Sequence, residues 1–247
     1  MRVRRAAATM CCMSSNRESL PEPLPQEPLD VIVDWLDEAA RRAVQPNANA
    51  MVVATADASG RPSARVVLCK ELRPRPGYLT FFTNYESHKG RELAANPRAA
   101  AVMHWDTLHR QARVEGLIVK TSAAESDAYF QSRDWRSRLG AWASAQSMPL
   151  ASRAELYASV AQAAQRFGTP VPATDSDAAD SASGDADPGV SIPRPPHWGG
   201  YRLWAEAVEL WVEGAGRIHE RARWTRRLLP HADGFTPGPW TATRLQP

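Results

Sequence analysis

The chain has 247 residues, of which 43% are hydrophobic and 23% charged, and its formal net charge is only +3. That is enough apolar material for a sizeable core, and too little net charge to argue for nucleic acid or a membrane surface as a partner. No apolar run approaches a membrane span, and Cys11, Cys12 and Cys69 form no disulfide framework, which fits a reduced, cytoplasmic protein.

Residues 1–28 read as a flexible N-terminal arm, rich in Pro, Glu and Ser toward its end, and 29–247 as a single domain. Asp30 can cap a helix running to about Arg42, with Val31, Trp35, Leu36 and Ala39 on one face. Short β-rich runs follow at Met51–Thr55, Ser63–Lys70 and Tyr78–Thr83, the first two separated by the turn signal Asp57-Ala-Ser-Gly60. Ser87 suits an N-cap, and the helix it opens stops at Asn96-Pro97. Arg98–Trp105 and Arg110–Lys120 read as strands around Asp106-Thr107-Leu108.

Helices then take over. Ser122-Ala-Ala-Glu125 and Ser152-Arg-Ala-Glu155 match the capping-box pattern and open helices of roughly 122–132 and 152–167. A shorter helix is expected at Trp135–Ala143. Residues 168–197 carry almost no large apolar side chains, and 172–194 is expected to be a disordered insertion. The chain resumes as a long strand from Trp198 to about Glu213, turns at Gly214-Ala-Gly216, continues as a strand from Arg217 to Arg227, and ends with a strand near Trp240–Leu245. Antiparallel meanders with added helices make this a mainly β, α+β chain, a barrel or sandwich rather than a βαβ sheet.

Four groups of residues suggest chemistry. In Phe81–Glu92, the free N–H groups of a helix start, its dipole, His88 and Lys89 converge on a point suited to an anion, although an ordinary strand–turn–helix would look the same. The chain uses 27 Arg and only three Lys, so Lys70 and Lys89 hint at a need for a compact ammonium. Arg217, His219 and Arg221 would share one face of a strand, across a hairpin from Trp211, either around an anion or on a solvated edge. Tyr129, Arg133 and Ser137, spaced by four, would share a helix face and suit a phosphate monoester, as would a plain surface helix. Arg65 and Lys70 would fall on opposite faces of a regular strand. Gln111, Gln146 and Ser147 add neutral hydrogen-bonding groups. There is no dinucleotide or Walker glycine loop and no metal-ligand spacing, so no metal is expected.

Taken together, these stretches resemble the pyridoxine/pyridoxamine 5′-phosphate oxidase family. The blocks are Ala50–Thr55, Arg65–Lys70, Phe81–Gly90, Arg110-Gln111 with Val114-Glu-Gly116, Tyr129-Phe-x-Ser-Arg133, Gly140-Ala-Trp142, Gln146-Ser147, Trp198-Gly-Gly-Tyr201, Trp211, Arg217-x-His219-x-Arg221 and Arg244-Leu-x-Pro247. They keep the family's order over about 28–167 and 196–247. The resemblance implies an antiparallel FMN-binding split β-barrel, working as a homodimer with FMN at the subunit interface. It implies FMN contacts at Arg65, Val66, Val67, Leu68, Cys69, Lys70, Phe82, Thr83, His88, Lys89, Gln111, Gln146, Ser147, Trp211 and Arg221. It implies a receptor for the substrate's phosphate at Lys70, Tyr129, Arg133 and Ser137, with Arg217, Ile218 and His219 beside the pyridine ring and Arg217 and His219 catalytic. The implied reaction oxidises phosphorylated B6 vitamers to pyridoxal 5′-phosphate, with O2 as acceptor and H2O2 released.

The chain departs from the family's usual pattern at His88, where an arginine is usual, and at Trp211-Val-Glu and Arg217-Ile-His-Glu-Arg221. The N-terminal segment that closes over substrate in relatives is not recognisable around Asn16–Pro28. Two other functions fit the same blocks: a flavin oxidase of another aromatic metabolite, and a non-catalytic flavin or pyridoxal-phosphate binding protein.

Overall fold

A computed structural model describes residues 19–172 and 187–247. In chain order the elements are α1 (Pro28–Arg41), β1 (Ala50–Ala56), β2 (Pro62–Leu68), β3 (Glu71–Arg73), β4 (Tyr78–Asn84), α2 (His88–Ala95), β5 (Arg98–Trp105), β6 (Arg110–Lys120), α3 (Ala123–Gln131), α4 (Trp135–Ala143), α5 (Arg153–Phe167), β7 (Trp198–Val212), β8 (Glu220–Thr225), β9 (Leu228–His231), β10 (Gly234–Pro237) and β11 (Thr241–Leu245). All strand pairs are antiparallel. The main sheet runs β11-β8-β7-β6-β5-β1-β2, and β3-β4 joins it through β7.

The fold is organised by β7. One of its edges pairs with β6 along nearly its whole length. Its other edge pairs with β4 over Trp198–Trp204 and with β8 over Ala207–Val212. The change of partner coincides with a bulge: Gly116 opposes Ala205 and Glu115 opposes Ala207, so β7 carries Glu206 as an extra residue. Tyr201, Leu203 and Ala205 face the barrel core before the bulge, and Val208, Leu210 and Val212 face it afterwards. Gly116 permits the close approach, since a Cβ there would lie 1.8 Å from the Trp204 carbonyl oxygen. The sheet curls around these residues together with Met51, Val53, Phe81, Met103, Trp105 and Trp224, and α1 closes one end with Leu29, Ile32 and Trp35. A smaller core joins Phe130, Trp135, Leu139, Ala164, Ile192 and Trp198 under α3, α4 and α5.

The expected helices and most strands form where their patterns place them, and the differences have physical reasons. Asp30 is not the cap of α1: Pro28 occupies the first turn, where its missing N–H costs nothing, and Glu27 is the cap residue without a side-chain bond. Strand β2 ends at Leu68, and β3 and the β9–β10 hairpin add strands too short to show a periodicity. The expected strand from Arg217 begins only at Glu220, because Gly216 and Arg217 both adopt left-handed φ, at 63° and 65°.

Of the segment expected to be disordered, residues 173–186 lie outside the described residues, but its end is packed. Ile192 is fully buried, Gln131 donates to its carbonyl at 3.1 Å, and Trp142 Nε1 donates to the Pro193 carbonyl at 2.7 Å. One isoleucine and two carbonyls suffice to dock a segment whose composition is otherwise small and polar. Of the expected N-terminal arm, residues 1–18 lie outside the described residues, and the remainder of the arm is tied down. Leu20 is buried and its amide donates to Glu220 at 2.9 Å, while Trp224 Nε1 donates to the Pro25 carbonyl at 2.8 Å.

Candidate functional site

A cleft of about 610 Å³ opens between β2, β4, the start of α2 and the α3–α4 pair. Arg65, Val66, Val67, Leu68 and Lys70 line one wall; Phe82, Thr83 and Lys89 the floor; Tyr129, Arg133, Ser137 and Gln146 the other wall. These come from distant parts of the chain. Arg65 and Lys70 reach the same cleft despite their spacing, because β2 breaks after Leu68. Cys69 does not join them: its side chain is buried in the barrel core, where burial pushes its thiol up to about 12.

The floor is set by the turn Asn84–Ser87. Ser87 is fully buried, donates to the Asn84 carbonyl at 2.7 Å and accepts from the Gly90 amide at 3.3 Å. That fixes the first turn of α2 and points Lys89 inward. Lys89 is 8% exposed, and its Nζ donates to Gln146 Oε1 at 2.6 Å, Thr83 Oγ1 at 2.9 Å and Ser87 Oγ at 3.2 Å. All three acceptors are neutral, and no carboxylate pairs with it among the described residues. Burial, then the neighbouring Arg65, lower its pKa to about 8. A buried ammonium with only neutral acceptors beside a helix N-terminus is a donor set that fits a phosphate.

The second wall is aromatic and cationic. Phe82, Tyr129 and Trp198 stack nearly parallel, with the Phe82–Tyr129 centroids 3.8 Å apart. The Arg133 guanidinium lies 4.7 Å from the Trp198 ring, and its Nη1 is buried without a hydrogen-bond partner. Burial lowers its pKa from the usual arginine range. Tyr129, Arg133 and Ser137 do converge, but not along one helix: Tyr129 is on α3, Ser137 on α4, and Arg133 in the turn between them, which Asp134 ends by capping α4.

His88 stands apart. Its side chain is 58% exposed, lies outside the cleft lining, and pairs through Nε2 with Glu92 at 3.0 Å. Ser147 is exposed with φ of 70° and does not line the cleft either.

The remaining predicted residues form a second group, at the far end of β7. Gln111, Trp211 and Arg221 are direct cross-strand neighbours on β6, β7 and β8, and so form one row. Arg221 is held by Glu209 at 2.9 Å. The His219 ring lies 4.7 Å from that of Trp211, and His219 Nδ1 accepts from the Gly214 amide at 3.2 Å, which leaves the proton of a neutral ring on Nε2. A Cβ at Gly214 would sit 1.6 Å from the Ile218 carbonyl oxygen, so this tight turn requires glycine. Arg217 has a left-handed φ, a backbone state that costs about 1–3 kcal/mol in a non-glycine residue and is typical of functional turns. Ile218 beside it is 75% exposed.

Trp198 in the cleft and Trp211 in the second group lie on one strand. At about 3.3 Å per residue their separation along the strand is roughly 40 Å. One chain therefore holds two separated halves of the expected residue set. Three residues that contribute were not singled out from sequence: Trp198, which walls the cleft, and the buried carboxylates Glu92 and Glu209. Trp198 opens the block Trp198-Gly-Gly-Tyr201; Glu92, four residues after His88, had only that helical spacing as a signal.

Comparison with known proteins adds to this geometry. Residues 36–167 match the family described as pyridoxamine 5′-phosphate oxidase, and 198–247 match its C-terminal dimerisation region. The pyridoxine/pyridoxamine 5′-phosphate oxidase of Ralstonia pickettii is 49% identical over 220 residues, covering 89% of each chain. That of Maricaulis maris is 45% identical, covering 90% of this chain and 86% of its own. Among solved structures, PhzG from Burkholderia lata, in complex with tetrahydrophenazine-1-carboxylic acid, is 28% identical with a TM-score of 0.71, over 90% of this chain and 94% of its own. An FMN-binding protein from Nostoc punctiforme shares the fold at a TM-score of 0.60 and 14% identity, over 91% of this chain and all of its own.

Proposed function

The chain belongs to the pyridoxamine 5′-phosphate oxidase family, and on that premise we propose that it is an FMN-dependent oxidase converting pyridoxamine 5′-phosphate and pyridoxine 5′-phosphate to pyridoxal 5′-phosphate. The observation that carries this reading is a cleft with two cationic centres, Lys89 and Arg133, each without a carboxylate partner among the described residues. A flavin phosphate and a substrate phosphate need two such centres.

Lys89, Thr83, Gln146 and Arg65 would hold the FMN phosphate end, and Val66, Val67, Leu68 and Phe82 the cleft around it. Arg133, Lys70, Tyr129 and Ser137 would hold the substrate's phosphate. The chemistry a bound flavin supplies is two-electron acceptance, with O2 as final acceptor and H2O2 released. The protein's part is position and charge. Arg217 orients the pyridine ring and its phenolate oxygen, and His219 offers an Nε2 proton beside it. Gln111, Trp211 and Arg221 complete the flavin site from the far end of β7.

The separation of roughly 40 Å along β7 supports a homodimer in which the cleft of one chain meets the second group of its partner. The match of 198–247 to a dimerisation region points the same way. The likeness to PhzG favours, as a second reading, a flavin oxidase of a larger aromatic substrate. Against it stands the grouping of Lys70, Arg133 and the hydroxyls of Tyr129 and Ser137 in one cleft, a set of cations and neutral donors that suits the several oxygens of a phosphate.

The test is direct. The purified protein should carry a flavin spectrum and, given pyridoxamine 5′-phosphate in air, yield pyridoxal 5′-phosphate and peroxide. Bound flavin without either product would overturn the reading.

A further inference from the structure

Glu92 lies behind the wall of the cleft. It is 5% exposed, on the second turn of α2, and is not among the residues that touch the cleft. Its Oε2 accepts from Thr55 Oγ1 at 2.5 Å, Ser63 Oγ at 2.7 Å and Arg65 Nη2 at 3.2 Å. Its Oε1 accepts from Ser63 Oγ at 2.8 Å and pairs with His88 Nε2 at 3.0 Å. Burial raises its pKa, but the hydroxyls of Thr55 and Ser63 and the charges of His88 and Arg65 outweigh it, so the carboxylate is held below its usual range.

The same hydroxyls also face Arg65. Its Nη1 donates to the Val53 carbonyl at 3.3 Å and to Thr55 Oγ1 at 2.5 Å, and its Nη2 donates to Ser63 Oγ and to Glu92. A guanidinium has five N–H donors. Four contacts inside the protein leave the Nε–H for a ligand. The cage spans β1, β2 and α2, so it ties the strand that carries Arg65 to the helix that carries Lys89.

We propose that Glu92 is a positioning residue for the flavin phosphate. It presets Arg65 at the cleft wall beside Lys89 with one donor spare, and it turns His88 away from the cleft. This rests on the reading that Arg65 and Lys89 receive that phosphate. Without the carboxylate, the long arginine side chain regains rotamer freedom that binding must then remove. The competing effect, relief of repulsion between carboxylate and phosphate, has the opposite sign, and the experiment separates the two.

Apoprotein is titrated with FMN and with riboflavin, which lacks the phosphate, by quenching of flavin fluorescence. Glu92→Gln keeps the volume but puts an amide where Arg65 and the hydroxyls need acceptors. FMN should bind about tenfold more weakly, as expected for loss of a charge-assisted bond, with riboflavin affinity unchanged. Unchanged or tighter FMN binding, or equal weakening of both flavins as a merely structural loss would give, overturns the proposal. Should Glu92→Gln not fold, Ser63→Ala removes the bridging hydroxyl between Arg65 and Glu92 and should weaken FMN alone; equal affinities there overturn it too. If the wild-type protein does not prefer FMN to riboflavin, the phosphate reading itself fails, and the role of Glu92 with it.

Discussion

Lys89 Nζ and Gln146 Oε1 lie 2.6 Å apart although 57 residues separate them. The contact joins the strand–turn–helix of the barrel to the loop that follows α4, and the joint is the ammonium itself. The group that would receive an anion thus also closes the cleft.

Lys89 sets a pH dependence of known sign. Its folded pKa of about 8 lies below the ordinary lysine value of 10.5. Between those values the unfolded chain holds more protons than the folded apoprotein, so this group makes the apoprotein more stable as pH rises through that window. Flavin binding runs the other way, because a phosphate needs the charged form. FMN affinity should fall above pH 8, by up to about tenfold per pH unit. Titrations at pH 7 and 9.5 should show the fall, and Lys89→Met should remove it along with most of the affinity. A flat profile in the wild type would exclude Lys89 as the phosphate cation.

Arg133→Ala should act on the substrate's phosphate alone. Loss of a charge-assisted hydrogen bond predicts a KM for pyridoxamine 5′-phosphate higher by about 10- to 100-fold. Oxidation of unphosphorylated pyridoxamine should proceed equally in both proteins. If the variant loses activity equally on both amines, Arg133 supports the fold rather than the phosphate.

Arg217→Ala should lower kcat by about 100- to 1,000-fold, the range seen when one preorganised donor is removed from a reacting centre. Flavin content should stay at the wild-type level, since the role proposed for Arg217 is toward the substrate's ring and not the flavin. Equal loss of flavin and turnover would reassign it.

The proposed two-chain site has its own test. Neither Lys89→Met nor Arg217→Ala chains should be active alone, but coexpressed they should form mixed dimers with one intact site of two. Random pairing makes half the dimers mixed, so activity should recover to about one quarter of wild type. No recovery in dimers shown to be mixed would place both residues in a site made by one chain.

Gly90 and Gly140 make a matched pair. A Cβ on Gly90 would lie 2.0 Å from the Tyr85 carbonyl oxygen, backbone against backbone, whereas one on Gly140 meets nothing within 4 Å. Gly90→Ala should destabilise by about 1–3 kcal/mol, lower Tm by roughly 3–10 °C and weaken FMN binding by displacing Lys89. Gly140→Ala should be neutral or stabilising by up to about 1 kcal/mol, because alanine favours a helix interior. Calorimetry of the two proteins decides both.

Much of this was legible in the sequence where one rule acted alone. Ser122-Ala-Ala-Glu125 closes a full capping box, and Arg110–Lys120 alternates buried and half-buried residues along a strand. Ser152 caps α5 as expected, but Glu155 reaches the Ala151 amide rather than that of Ser152. Legibility failed where geometry departed from a regular period. Arg65 and Lys70 share a cleft because a strand stops between them, and Tyr129, Arg133 and Ser137 share it because a helix does. Arg217 sits on a left-handed turn that its own side chain does not advertise. The carboxylates Glu92 and Glu209 were missed because a buried acid is identified by the partners around it, and those partners are distant in sequence.

Glu206 gives the chain a rule of parity. Trp198 and Trp211 are thirteen positions apart, an odd number, so an unbroken strand would present them on opposite faces. The extra residue at the bulge returns both to the side away from the barrel interior. Deleting Glu206 would give an unbroken strand in which the two tryptophans are twelve positions apart and still share a face, with Val208, Leu210 and Val212 still turned to the core. β7 can therefore lose its bulge residue without reversing a face, whereas one residue added outside the bulge reverses every position between it and the next irregularity. A descendant of this chain that gained a single residue elsewhere in β7 would need a compensating shift before both groups of functional residues faced the same way again.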